Sequence, residues 1–143
     1  MHEASFEDAV EQILAKDSRY HRDAYFFIRD TLELTKRQVN KENRNKKNHV
    51  TGQELLAGIR QYALNEFGPM ATAVLEEWGV RNCGDFGEIV FNLVDTGQFG
   101  KTDQDTRDDF RDGYDFNDAF RKPFLPLVRS FKPDAATEPS AKI

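Results

Sequence analysis

The sequence is short of cysteine: Cys83 is the only one in 143 residues, so no internal disulfide can form and the fold must rest on its core, as expected in a reducing compartment. It also lacks long apolar runs. The longest, such as Ala24-Tyr25-Phe26-Phe27-Ile28, stop at charges far short of the ~18 residues a spanning helix needs, and no membrane association is expected. Where a secretory signal would place a basic patch and then an apolar one, the chain carries Glu3, Glu7, Asp8 and Glu11, which points to a cytoplasmic protein.

Phosphate-binding glycine motifs are missing as well; neither GxxxxGKS/T nor GxGxxG occurs. Asp85-Phe86-Gly87 spells the metal-binding tripeptide of protein kinases, but no HRD sequence accompanies it and the chain is too short for two kinase lobes. Asp103, Asp105 and Asp108 are spaced like the start of a calcium loop. That loop would need glycine where Asp108 stands and a bidentate glutamate where Tyr114 stands. His2, His21 and His49 are too far apart to form a metal pair at helical spacing, although His21 lies one turn from Asp17. Neighbouring carboxylates such as Glu76-Glu77 and Asp108-Asp109 are ordinary in an acidic chain and nominate no catalytic dyad. No cofactor or metal is expected.

What is present is a globular composition, 38% hydrophobic and 31% charged with twelve phenylalanines, in a chain long enough to bury about 70% of its surface. Charge falls in blocks: net −4 over residues 1–35, +5 over 36–50, −5 over 51–97 and −1 over 98–143. The basic block has one apolar residue, Val39, in residues 36–49, so it cannot supply a core face and reads as a frayed helix end running into a mobile loop. Its cations Lys36, Arg37, Lys41, Arg44, Lys46 and Lys47 are candidate contacts for an anionic partner.

Apolar periodicity and caps mark five helices. Ser5 can cap a first stripe of Phe6, Ala9, Val10, Ile13 and Leu14, and Tyr20, Ala24, Phe27, Ile28, Thr31 and Leu32 form a second. Thr51-Gly52-Gln53-Glu54 has capping-box spacing ahead of Leu55, Leu56, Ile59, Tyr62 and Ala63, with a stop at Phe67-Gly68. Pro69 opens a short helix through Trp78 that ends at Gly79, and Asp85 is expected to cap a fifth with Phe86, Ile89, Val90, Leu93 and Val94 inward. Leu55, Trp78, Phe86, Ile89, Val90 and Leu93 should be mutually buried. Phe99 to Phe110, around a polar tip at Gly100–Asp105, reads as a small hairpin. Tyr114, Phe116, Phe120, Phe124 and Phe131 should wrap back onto the core, and residues 133–143, with little to bury, read as a disordered tail behind a single helical domain over 1–132. Such a wealth of aromatic residues is either a phenylalanine-rich core or, with Phe26 and Phe124 exposed, partly a patch for a partner.

The order helix, short helix ending at Trp78-Gly79-Val80, helix, then Asp95-Thr96-Gly97-Gln98-Phe99 and a hairpin resembles a winged helix-turn-helix domain. In that arrangement the helix from residue 85 to 96 takes the recognition position, yet it offers Asp85, Glu88, Asn92 and Asp95 and no basic side chain, so specific duplex DNA binding through it is disfavoured. Asp17-Ser18-Arg19-Tyr20, His49 to Leu56, Phe67-Gly68-Pro69, Asp85 to Val94 and Tyr114-Asp115-Phe116 together resemble a family of short uncharacterised bacterial proteins with no assigned activity. The resemblance implies a bacterial cytoplasmic domain and transfers no site residue.

The expectation is therefore a mainly α domain of about five helices with a small winged-helix-like hairpin, acting as a protein-protein interaction or adaptor module. One alternative is an enzyme with a cleft near Cys83, Asp85 and His49, in which Cys83 would gain thiolate character beside a helix N-terminus; as a plain core residue it would be a small apolar group. The other is nucleic-acid binding through residues 36–49.

Overall fold

The Ser5 side chain accepts a hydrogen bond from the Asp8 amide at 3.1 Å and so opens α1 (Phe6–Lys16) where the sequence signals it. The computed structural model describes residues 5–43, 50–99, 108–111 and 113–125. After a short connection comes α2 (Arg22–Asn43), which runs past the expected start of the basic loop. Lys36 to Asn43 form its last two turns because Val39, one turn beyond Thr35, buries on the same face, while Arg37 and Lys41 point to solvent. A loop beginning at residue 36 is thereby corrected; residues 44–49, the rest of that block, lie outside the described residues.

Thr51 and Glu54 exchange both bonds of a capping box, 3.0 and 2.9 Å, at the head of α3 (Gly52–Phe67). Gly68 (φ +53°) ends it, a 3₁₀ turn (Gly68–Met70) carries Pro69, and α4 (Ala71–Glu77) follows. Gly79 then takes φ +88°, and a side chain there would also collide with the Arg19 carbonyl, so the α1–α2 connection can pack directly on this turn. The His21 amide donates to the Trp78 carbonyl at 3.0 Å across the same contact.

The cap of α5 (Cys83–Asp95) is Asn82, not Asp85: the Asn82 side chain accepts from the Asp85 amide at 3.0 Å. Asp85 sits three residues in and reaches back to the Arg81 amide at 2.8 Å. Among the described residues there is no strand. Phe99 lies in a bend, Phe110 belongs to the short helix α6 (Asp108–Arg111), and residues 100–107, the tip of the expected hairpin, lie outside the described residues. The reason is packing: Phe110 lies on Gly87 of α5, where a side chain would overlap its ring, and meets Phe91 edge-on at 6.3 Å.

Helices α2 and α3 are antiparallel neighbours. Phe27 stacks on Tyr62 at 5.2 Å and on Phe67 at 5.7 Å at one end, and Thr35 abuts Gly58 farther along. Helix α5 packs against α1, α2, α3 and α6, and Phe86, Ile89 and Leu93 lie fully inside. Of the six residues expected to be mutually buried, Leu55, Phe86, Ile89 and Leu93 are core; Trp78 and Val90 are half-buried. Trp78 closes an aromatic cluster with Phe27 and Phe67, and Phe91, one position past Val90, takes the buried site on α5. A π-helical turn (Asn117–Arg121) and a 3₁₀ turn (Lys122–Phe124) bring Phe116 and Phe120 against Phe86 and Tyr114. Phe131 and residues 133–143 lie outside the described residues.

Candidate functional site

The polar face of α5 is the first place to look for chemistry, since it gathers Asp85, Glu88 and Asn92. Each side chain is engaged inside the molecule. Asp85 accepts the Tyr20 hydroxyl at 2.6 Å, Glu88 accepts Arg19 Nη2 at 3.3 Å, and Asn92 donates to Asp17 at 3.1 Å and to the Tyr25 hydroxyl at 3.1 Å. Arg19 closes the network by binding both carboxylate oxygens of Asp17, at 2.9 and 2.7 Å, with its guanidinium 5.1 Å from the centre of the Tyr20 ring. The arginine bonds hold the Asp17 carboxyl well below the usual carboxylate range. Burial, then the bond to Asp85, pushes the Tyr20 hydroxyl well above the tyrosine range. These carboxylates clamp the α1–α2 connection onto α5, and none is left poised over a cleft.

Cys83 is the small buried core residue and not the reactive corner of the enzyme alternative. Its thiol is buried, lies 3.4 Å from the Tyr114 carbonyl, and is pushed up to about 11 by burial. Gly113 passes so close that a side chain there would overlap Cys83. Asp85 is turned to Tyr20 and Arg81, and His49 lies outside the described residues.

The candidate partner contacts are spread over the molecule. Arg37 and Lys41 are exposed and Lys36 half-buried on the last two turns of α2; Arg44, Lys46 and Lys47 lie outside the described residues. Phe26 is half-buried, edge-on to Phe6 at 5.1 Å, and covered by the guanidinium groups of Arg22 and Arg29 at 4.9 and 5.0 Å from its centre. Phe124 is 43% exposed, and with Leu125 (52%) and Met70 (60%) it accounts for most of the large apolar side chains left in solvent among the described residues. Met70 sits on the 3₁₀ turn before α4, Phe124 on the one after the π-helical turn and Leu125 just past it, and the π-helical turn touches the first of those turns.

A feature with no warning in the motif search is a shallow groove of about 630 Å³ between α3 and the returning chain at Gly113-Tyr114. Exposed Ala57 and half-buried Leu64 supply its apolar surface over the buried Leu56, Tyr114 one wall, and Gln61 and Arg60 its polar edge. The wall is fixed because the Tyr114 hydroxyl donates to the Leu56 carbonyl at 2.8 Å, and the Gln53 amide holds the Asp109 carbonyl at 2.6 Å. Gln61 donates to Asn65 at 3.1 Å, and burial raises the Tyr114 hydroxyl well above the tyrosine range. Among the described residues Arg60 has no hydrogen-bond or ion-pair partner. One signal for it was in the sequence: positions three and four residues either side of Arg60 are Leu56, Ala57, Ala63 and Leu64, so no carboxylate can meet it along its own helix.

Among the described residues no three His, Cys, Asp or Glu side chains come together to hold a metal, and no helix is long and apolar enough to cross a membrane. Compared with known proteins, the chain matches no family model, no curated protein and no solved structure.

Proposed function

We propose that this protein is a non-catalytic protein-protein interaction module whose docking face is the groove along α3, continued at its Leu64 end by the apolar side chains around Met70. The observation that carries this reading is that groove, with Ala57 and Leu64 as its apolar surface between polar edges; Met70, Phe124 and Leu125 are further large apolar side chains left exposed. The reactive side-chain types elsewhere support it from the other direction, since Asp85 and Glu88 on α5 are bound into an internal network and the Cys83 thiol is buried. An enzyme built on Cys83 and Asp85 has both of those facts against it. The resemblance to a family of short uncharacterised bacterial proteins favours a bacterial cytoplasmic setting and leaves the partner open.

A photo-crosslinking amino acid placed at Gln61, on the groove edge, should yield a discrete protein adduct in cells, whereas the same group at exposed Glu11 on α1 should not. No adduct from position 61, or the same adducts from both positions, overturns the reading.

A second reading, nucleic-acid binding, is favoured by the cationic run on α2, where Lys36, Arg37 and Lys41 precede Arg44, Lys46 and Lys47 in the chain. It requires a mobility shift of single-stranded or duplex probes that weakens steeply with salt and is lost in Arg37→Glu plus Lys41→Glu.

A further inference from the structure

We infer that the α3 groove takes a peptide segment that presents a carboxylate next to apolar side chains, the carboxylate meeting Arg60; this rests on the docking role proposed above. Arg60 is exposed and is the charged side chain that lines the groove. The other strong donors there are already engaged: the Gln53 amide by the Asp109 carbonyl, the Gln61 amide by Asn65, and the Tyr114 hydroxyl by the Leu56 carbonyl. An occupant therefore finds apolar surface at exposed Ala57 and half-buried Leu64 and a guanidinium free to form a forked bond to a carboxylate.

The surroundings sharpen the requirement. Residues 51–97 carry a net charge of −5 with Arg60 and Arg81 as their cations, so Arg60 is the point on the groove where a carboxylate is favoured, which fixes the segment's register rather than attracting it at large. From Gln53 to Leu64 the helix rises about 16 Å at roughly 1.5 Å per residue. That length matches about five residues of extended chain at roughly 3.3 Å each, or three turns of a partner helix. The occupant is thus a short linear segment with an Asp, a Glu or a terminal carboxylate placed beside Leu, Ile or Phe.

The test is to pan a random dodecapeptide display library against the full chain, then titrate enriched synthetic peptides by fluorescence anisotropy. Wild type is compared with Arg60→Glu, Arg60→Gln and Ala57→Trp, which fills the groove, and a melting curve for each variant confirms folding. Enriched peptides should share a carboxylate within two residues of an apolar side chain. Their binding should weaken at least ~10-fold in Arg60→Glu, less in Arg60→Gln, and fall with added salt, and Ala57→Trp should abolish it. Peptides indifferent to Arg60→Glu and Arg60→Gln but lost in Ala57→Trp overturn the carboxylate requirement and leave the docking face standing. No enrichment, or peptides indifferent to Ala57→Trp, overturns both.

Discussion

Tyr20 and Asp85, 65 residues apart, are joined by a 2.6 Å hydrogen bond that ties the α1–α2 connection to the first turn of α5. Tyr20→Phe removes the donor and leaves Asp85 with the Arg81 amide, which should cost about 1 to 2 kcal/mol. Tyr20, Tyr25 and Tyr114 all have hydroxyls raised first of all by burial. Their stabilisation is complete below the unfolded tyrosine value of about 10 and is lost as pH rises above it. Chemical denaturation at a series of alkaline pH values should show stability falling from about pH 10 upward, less steeply in Tyr20→Phe.

Asp17 behaves in the opposite sense. Its carboxyl is lowered by the Arg19 guanidinium, with the Asn92 amide adding to the effect, so its contribution is present above the unfolded carboxylate value of about 4 and disappears as pH falls below it. Asp17→Asn should melt lower than wild type at neutral pH, and the gap should narrow steadily as both are titrated from about pH 4 downward. A gap that does not narrow in acid would show that shape, not charge, sets the contribution of this residue.

Leu93 is fully enclosed, and Val90 on the same helix is half-buried. Leu93→Ala should therefore cost about 2 to 5 kcal/mol, and Val90→Ala distinctly less. Urea unfolding of the two variants measures both; equal losses would contradict the inward orientation of α5.

At Gly58 a methyl group would overlap the Thr35 hydroxyl, so α2 and α3 approach through the missing side chain. An alanine in mid-helix ordinarily gains about 1 kcal/mol over glycine. Here Gly58→Ala should destabilise instead, and adding Thr35→Ala should recover stability. A double-mutant cycle reads the coupling directly.

For Cys83 the buried thiol, raised to about 11, predicts slow alkylation. Iodoacetamide at about pH 8 should label the native protein orders of magnitude more slowly than the protein in denaturant. Rapid native labelling would revive a chemical role for this residue.

The helices were legible because their punctuation is local: Ser5, the Thr51/Glu54 box, and Gly68, Gly79 and Gly97 each act within a turn or two, and apolar spacing does the rest. Asp85 was misplaced as the cap because its signal is shared with Asn82, three residues earlier, whose side chain reaches the Asp85 amide. The end of α2 was missed because one apolar residue, Val39, looked too little to hold two turns; α2 is stabilised there as a continuation of a helix already packed. Beyond the uncharged helix neighbours of Arg60, the groove could not be read from the sequence. It exists because Tyr114 bonds to Leu56 and Gln53 to Asp109, pairings across more than fifty residues that no local pattern encodes.

The position of α5 has a consequence for how the chain is made. Its one flank is covered by Arg19, Tyr20 and Tyr25, which are synthesised early, and its other by Phe110 and Phe116, which come late. A nascent chain that has reached Gly97 can already form the Tyr20–Asp85 clamp, but Gly87 and Cys83 still face outward without their lids. The last contacts to form join residues far apart in sequence, which slows closure and leaves an apolar flank open until then. A stop codon or proteolytic cut just before Phe110 should thus yield a helical but sticky species bound by holding chaperones.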